Sequence, residues 1–129
     1  MLSIQGIHHV AIICGDYQKS LHFYTEILGF QLLEETYRQE RDSYKADLAL
    51  HGRYCLELFS FPNPPLRPSY PEAAGLRHLA FAVPDVEATY ATLLAAGLGV
   101  EEIRIDELTG KRFVFTADPD GLPLEFYEI

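Results

Sequence analysis

The sequence predicts an α+β fold built from two tandem βαβββ modules. Three observations carry that expectation. "IHHVAIICGD" (7–16) and "LRHLAFAVPD" (76–85) are one pattern written twice: with His9 laid on His78, Val10 meets Leu79, Ala11 meets Ala80, Ile12 meets Phe81 and Asp16 meets Asp85. Each copy is followed by a helical apolar stripe that a glycine stops. The ends of the two halves also match, since "YCLELFSF" (54–61) lies on "GLPLEFYE" (121–128) with Leu56 on Leu124, Glu57 on Glu125 and Phe59 on Tyr127. The spacing differs by one residue between the His pair and the Glu pair, which reads as a single indel.

The elements follow in order. The first strand carries His9. Asp16 can cap a helix over 16–28, with Tyr17, Leu21, Tyr24 and Leu28 at helical spacing and Gly29 after it. Strand-like runs follow at about 30–38, 44–50 and 54–61. In the second half a strand spans 76–83. Asp85 caps a helix with Val86, Tyr90, Leu93 and Leu94 as its stripe, and Gly97 ends it. Strands follow at about 99–105, 111–117 and 122–128, separated by the turn signals "LTGK" and "DPDG". Between the halves, "FPNPPLRPSYPEAAG" (61–75) carries five prolines, which exclude a regular helix or a central strand. The expected organisation is a single domain over 1–129. Module 1 covers about 4–61, the linker 62–75 and module 2 about 76–129.

Composition narrows the function. A net charge of −9 argues against DNA or RNA as the main partner, because phosphate binding needs clustered Lys and Arg. It leaves a small anionic substrate open, since local charge can differ from the total. No run of 18 apolar residues exists, so no membrane span is expected, and the start reads as the first strand of a cytoplasmic protein. Cys14 and Cys55 form no C-x-x-C motif and sit in apolar runs, so both are expected to be reduced thiols.

Strand parity puts the chemistry on one face. His78 shares a face with Ala80 and Ala82; His9 shares one with Ile7, Ala11 and Ile13; Glu125 shares one with Pro123 and Tyr127. A carboxylate buried alone in an apolar strand protonates or finds a partner, and Glu57 and Glu125 need a shared explanation. Any one of these residues alone reads as an ordinary half-buried polar side chain. As a matched set in a duplicated frame, His9, Glu57, His78 and Glu125 read as ligands of one divalent metal with positions left open for substrate. By the same parity His8 points with Val10 to the opposite face and is expected not to be a ligand. His22 and His51 lie in a helix and a turn without partners at ligand spacing.

The motifs "HHVAIICGDYQKSLHFYTEILGF", "SYKADLAL", "YCLELFSF", "RHLAFAVPD" and "DPDGLPLEFYE" cover most of the chain. Together they resemble the vicinal oxygen chelate superfamily, also known as the glyoxalase/bleomycin resistance/dihydroxybiphenyl dioxygenase fold. They are also similar to small bacterial glyoxalase-I-like proteins of the YaeR type, related to lactoylglutathione lyase. The resemblance implies paired βαβββ modules forming a cleft around one metal, and a homodimer; in glyoxalase I each site takes one module from each of two chains, and the Pro-rich connector at 61–75 allows either that exchange or closure within one chain. Glyoxalase I uses His, Glu, His, Glu in chain order, which fall on His9, Glu57, His78 and Glu125. Related dioxygenases and fosfomycin-resistance proteins use two His and one Glu, and the epimerases typically carry Gln at the second position, so Glu57 leans to the glyoxalase pattern. One departure stands out: where bacterial glyoxalase I holds glutathione with Arg and Asn, this chain has Ile13 and Phe61. Asn63, Arg67 and Arg77 are the candidates to replace them.

The expected activity is therefore that of a metal-dependent lyase or isomerase using Ni, Co or Zn, with Fe and Mn also compatible. It acts on a small substrate with vicinal oxygens, of hemithioacetal type, through an enediolate. Glu125 is the first choice as proton-transfer base and Glu57 the second. Arg38, Arg41 and Lys45, and separately Lys111 and Arg112, are candidate donors to anionic ends, or else solvated charges. The alternatives are another metal enzyme on the same frame (dioxygenase, epimerase or resistance thiol transferase) and a non-catalytic small-ligand-binding module.

Overall fold

A computed structural model describes residues Met1–Ile129. The chain divides into two compact units, Met1–Pro65 and Leu66–Ile129. Each contains one four-stranded mixed sheet with the same topology.

In the first unit, β1 (Val10–Cys14) leads to α1 (Tyr17–His22), then β2 (Gln31–Arg38), β3 (Ser43–Leu50) and β4 (Arg53–Ser60), with sheet order β1-β4-β3-β2. β1 runs parallel to β4, while β2–β3 and β3–β4 are antiparallel. Asp16 caps α1 by accepting from the Lys19 N–H at 3.1 Å. The helix then widens into a π-helical turn, Phe23–Ile27. That wider turn changes which residues face inward. Tyr17, Ser20, Phe23 and Tyr24 are buried, whereas Leu21 and Leu28 of the expected stripe are only half-buried. The core continues through Ile12, Phe30, Leu48, Leu56 and Leu58. His51 and Gly52, both at positive φ, form the two-residue hairpin turn between β3 and β4.

In the second unit, β5 (Leu79–Val83) leads to α2 (Val86–Ala95), β6 (Arg104–Ile105), β7 (Arg112–Ala117) and β8 (Pro123–Glu128), in the order β5-β8-β7-β6. Asp85 caps α2 by accepting from the N–H groups of Glu87 and Ala88. At the other end, Leu98 donates to the Leu93 carbonyl and Gly97 to that of Leu94, a Schellman closure with Gly97 at φ 80. Val86 and Leu93 are buried, but Leu94 is 45% exposed and falls off the expected stripe. We expect Asp85→Ala to lower unfolding free energy by about 1 kcal/mol in a denaturant titration, the usual cost of losing an N-cap.

Two expectations about strands change. The run 99–105 is a strand only at Arg104–Ile105. Upstream of it, the Thr116 hydroxyl donates to the Gly99 carbonyl at 2.7 Å, and Glu101 keeps one backbone bond to Phe115. A side chain thus occupies an acceptor that a ladder would use. His9 and His78 each stand one residue before their strand rather than within it. The two ladders open at equivalent places, β1–β4 at Val10 opposite Leu56 and β5–β8 at Leu79 opposite Leu124. Neither cysteine is in a disulfide; Cys14 is buried and Cys55 half-buried. No helix is long and apolar enough to cross a membrane.

Candidate functional site

The two sheets place their His and Glu residues at equivalent positions. In the first, Ala11 lies opposite Glu57; in the second, Ala80 lies opposite Glu125. Each histidine stands two residues before that alanine. The single-residue indel is therefore absorbed outside the β1–β4 and β5–β8 ladders. The structure brings His9 Nε2 to 3.3 Å from Glu57 Oε1, and His78 Nε2 to 2.9 Å from Glu125 Oε2. Leu124 and Phe126, flanking Glu125, are buried on the other face, as strand alternation requires.

The surroundings of the two carboxylates differ. Glu57 is 8% exposed and meets His9, Lys45 (3.2 Å) and the Tyr54 hydroxyl, in a short hydrogen bond. Lys45 also reaches Asp47 at 3.2 Å. Burial opposes ionisation of Glu57, but the hydrogen bonds from Tyr54 and Lys45 and the charges of Lys45 and His9 outweigh it, holding the carboxyl below its ordinary value of 4.5. Burial, followed by its bond to Glu57, pushes the Tyr54 phenol up. Glu125 meets His78, whose ring sits edge-on to Phe115 with centroids 5.2 Å apart.

Strict strand parity would put Tyr54 and Glu57 on opposite faces. The β3–β4 register slips between Leu48 and Ala49: Leu48 pairs with Leu56 but Ala49 pairs with Tyr54, leaving Cys55 as an extra residue. Such a bulge turns one side chain across the sheet and brings Tyr54 to Glu57. No signal in the sequence marks it. The same cluster corrects the reading of His8. Its Nδ1 lies 2.8 Å from the Nδ1 of His9, and both rings lean on Tyr54. His8 precedes the first strand, so alternation does not send it to the opposite face.

The other candidate cations are also placed. Lys45 joins Glu57 and Asp47, whereas Arg38 stacks over Phe59 and Phe61, and Arg41 stacks over Phe61. Arg112 bridges Glu87 (2.9 Å) and Glu128 (2.8 Å), tying α2 to β8 as a structural pair. Tyr54→Phe is expected to cost about 1 kcal/mol at neutral pH, the usual worth of one hydrogen bond. Because the folded Glu57 pKa lies below the unfolded one, its stabilisation is present above pH 4.5 and lost as pH falls through the lowered value. The variant's deficit should therefore shrink in acid, as urea titrations at neutral and acid pH will show.

The donor set suits a divalent metal. Bonds of about 2.0–2.2 Å at near-right angles put neighbouring ligand atoms about 3 Å apart, close to both His–Glu distances. Neutral imidazole and carboxylate oxygen are the donor types such ions take. Each pair offers two donor atoms, and no group of three or more His, Cys, Asp or Glu in the chain is gathered for a metal.

A model of the Glyoxalase/Bleomycin resistance protein/Dioxygenase superfamily matches residues 6–126. The chain belongs to that superfamily. Within the glyoxalase superfamily it is 59% identical to the protein YaeR of Escherichia coli (strain K12) over 128 residues, 99% of each chain. It is 30% identical over 127 residues to the lactoylglutathione lyase of Haemophilus influenzae, covering 95% of this chain and 91% of that one. The crystal structure of the glyoxalase family protein from Enterococcus faecalis matches with a TM-score of 0.91 at 48% identity, over 98% of this chain and 100% of that one.

Proposed function

We propose that this chain is a metal-dependent, glyoxalase-I-like lyase or isomerase acting on a small substrate with adjacent oxygens. In this reading His9, Glu57, His78 and Glu125 are the ligands of one divalent cation. The observation that carries it is the repetition: two His–Glu pairs at equivalent register positions, each with the spacing of neighbouring coordination atoms. The likeness to the Haemophilus influenzae lactoylglutathione lyase supports the reaction class. A bound Ni, Co or Zn ion supplies Lewis acidity toward the substrate oxygens.

The chain's own residues divide the remaining work. Lys45 and Tyr54 hold Glu57 ionised and in place, which suits an anchoring carboxylate. Glu125, paired with His78, is free to swing toward a substrate C–H group, take its proton and deliver it to the neighbouring carbon. Glu125 is thus the base and Glu57 the second choice. Phe61 is stacked under Arg38 and Arg41 and offers no amide, and Ile13 is 55% exposed and carries no charge. We therefore propose a thiol cofactor other than glutathione, or none, and a homodimer in which each site takes its second half from the other copy.

Metal analysis of the purified protein tests this, followed by a methylglyoxal–thiol assay with and without Ni, Co and Zn. Retained metal with metal-dependent turnover is the expected result. Absence of both metal uptake and turnover would sink the proposal.

A further inference from the structure

The second unit contains a cavity of about 370 Å³ beside His78. That volume lies within the range of small-molecule sites. Its lining brings Arg67 of the connector, Arg77 before β5, and Arg104 of β6 together with His78 and Phe115. These three arginines come from three separate segments of a chain whose net charge is −9. Glu72 and Glu101 also line the cavity, leaving a local excess of positive charge.

Two of the three arginines have defined side-chain contacts. Arg67 donates to the carbonyls of Leu76 at 2.6 Å and Arg77 at 3.1 Å, which pins the connector next to β5. Its buried Nε has no hydrogen-bond partner, so the guanidinium has a donor to spare. The Arg104 guanidinium carbon sits over the rings of Phe113 and Phe115, 5.0 and 5.5 Å from their centroids. Its nearest carboxylate is Glu101 at 3.9 Å, with both side chains more than half exposed. Such a pair is weak and readily exchanged for a ligand. Phe115 then connects the arginine to the site, since its ring also meets that of His78.

From this placement we infer that the cavity is an oxyanion subsite, holding the phosphate-like or carboxylate end of the substrate next to the His78–Glu125 pair. Guanidinium forks match tetrahedral and planar oxyanions alike, and rings beneath them fix their orientation. As a substrate subsite the assignment rests on the proposed lyase reading; as an anion site it stands on its own. It also replaces the handle missing at Ile13 and Phe61.

The test uses full-length protein stripped of metal with EDTA and dialysed. Inorganic phosphate and, separately, acetate are titrated calorimetrically into wild type, Arg77→Ala and Arg104→Gln. At least one anion should bind, and each variant should bind it about tenfold more weakly, the loss of one charge-assisted hydrogen bond. Preference for phosphate assigns a phosphate or phosphonate end; equal binding of acetate assigns a carboxylate. Arg77 is exposed, so its variant keeps the test valid if Arg104→Gln impairs folding. No binding of either anion, or wild-type affinity in Arg77→Ala, overturns the subsite. Arginine-dependent binding without metal uptake by the untreated protein would leave the subsite standing while the lyase reading fails.

Discussion

Glu125→Gln is expected to lower turnover in the methylglyoxal–thiol assay about 10²–10⁴-fold, the usual worth of a positioned base. The substitution keeps an oxygen donor on the same stem, so metal content should stay close to wild type. It removes basicity, and the neutral amide cannot take a proton from carbon. His78, at 2.9 Å, can still donate to the amide oxygen, so the local geometry should persist. Glu57→Gln should behave differently. There the ion pair with Lys45 is lost in a buried site, and the first casualty is metal retention. Measuring metal and turnover in parallel separates the two roles. Full turnover in Glu125→Gln at full metal content would exclude it as the base.

His9→Ala and His78→Ala should each empty the site. Loss of a ligand weakens metal binding by more than the roughly 10–100-fold that follows from disturbing a ligand's outer partners. Neither histidine carries the core: both stand outside their strands, and the apolar faces pack on the opposite side of each sheet. The variants should fold, as thermal melts will show. If each site draws on two copies, a refolded equal mixture of the two variants regains about a quarter of the wild-type sites, because half the dimers are mixed and each mixed dimer holds one intact set of ligands. Zero recovery in the mixture would assign both halves to one chain.

Much of the fold was legible because duplication made two weak signals into one strong one. Asp16 and Asp85, Gly29 and Gly97, and the repeated strand patterns marked the order of elements that recurs in the two sheets. The places where local reading went astray have local causes. The π-helical turn at Phe23–Ile27 shifted the buried face, leaving Leu28 after it only half-buried. At 99–103, the Thr116 hydroxyl took the Gly99 carbonyl and the strand began only at Arg104. His8 was assigned a face by alternation, although it lies before the strand where alternation starts.

Residue type and spacing alone determined the architecture and the four candidate ligands, since apolar periodicity and turn chemistry act over a few residues and repeat with the module. Tertiary structure decided what surrounds each ligand. A bulge at Cys55 swung Tyr54 onto Glu57, cross-strand pairing carried Lys45 to the same carboxylate, and a connector and a two-residue strand assembled three arginines beside His78. The Lys45 and arginine contacts join residues far apart along the chain, and at Tyr54 a one-residue change of register is enough to move a side chain to the other side of a sheet.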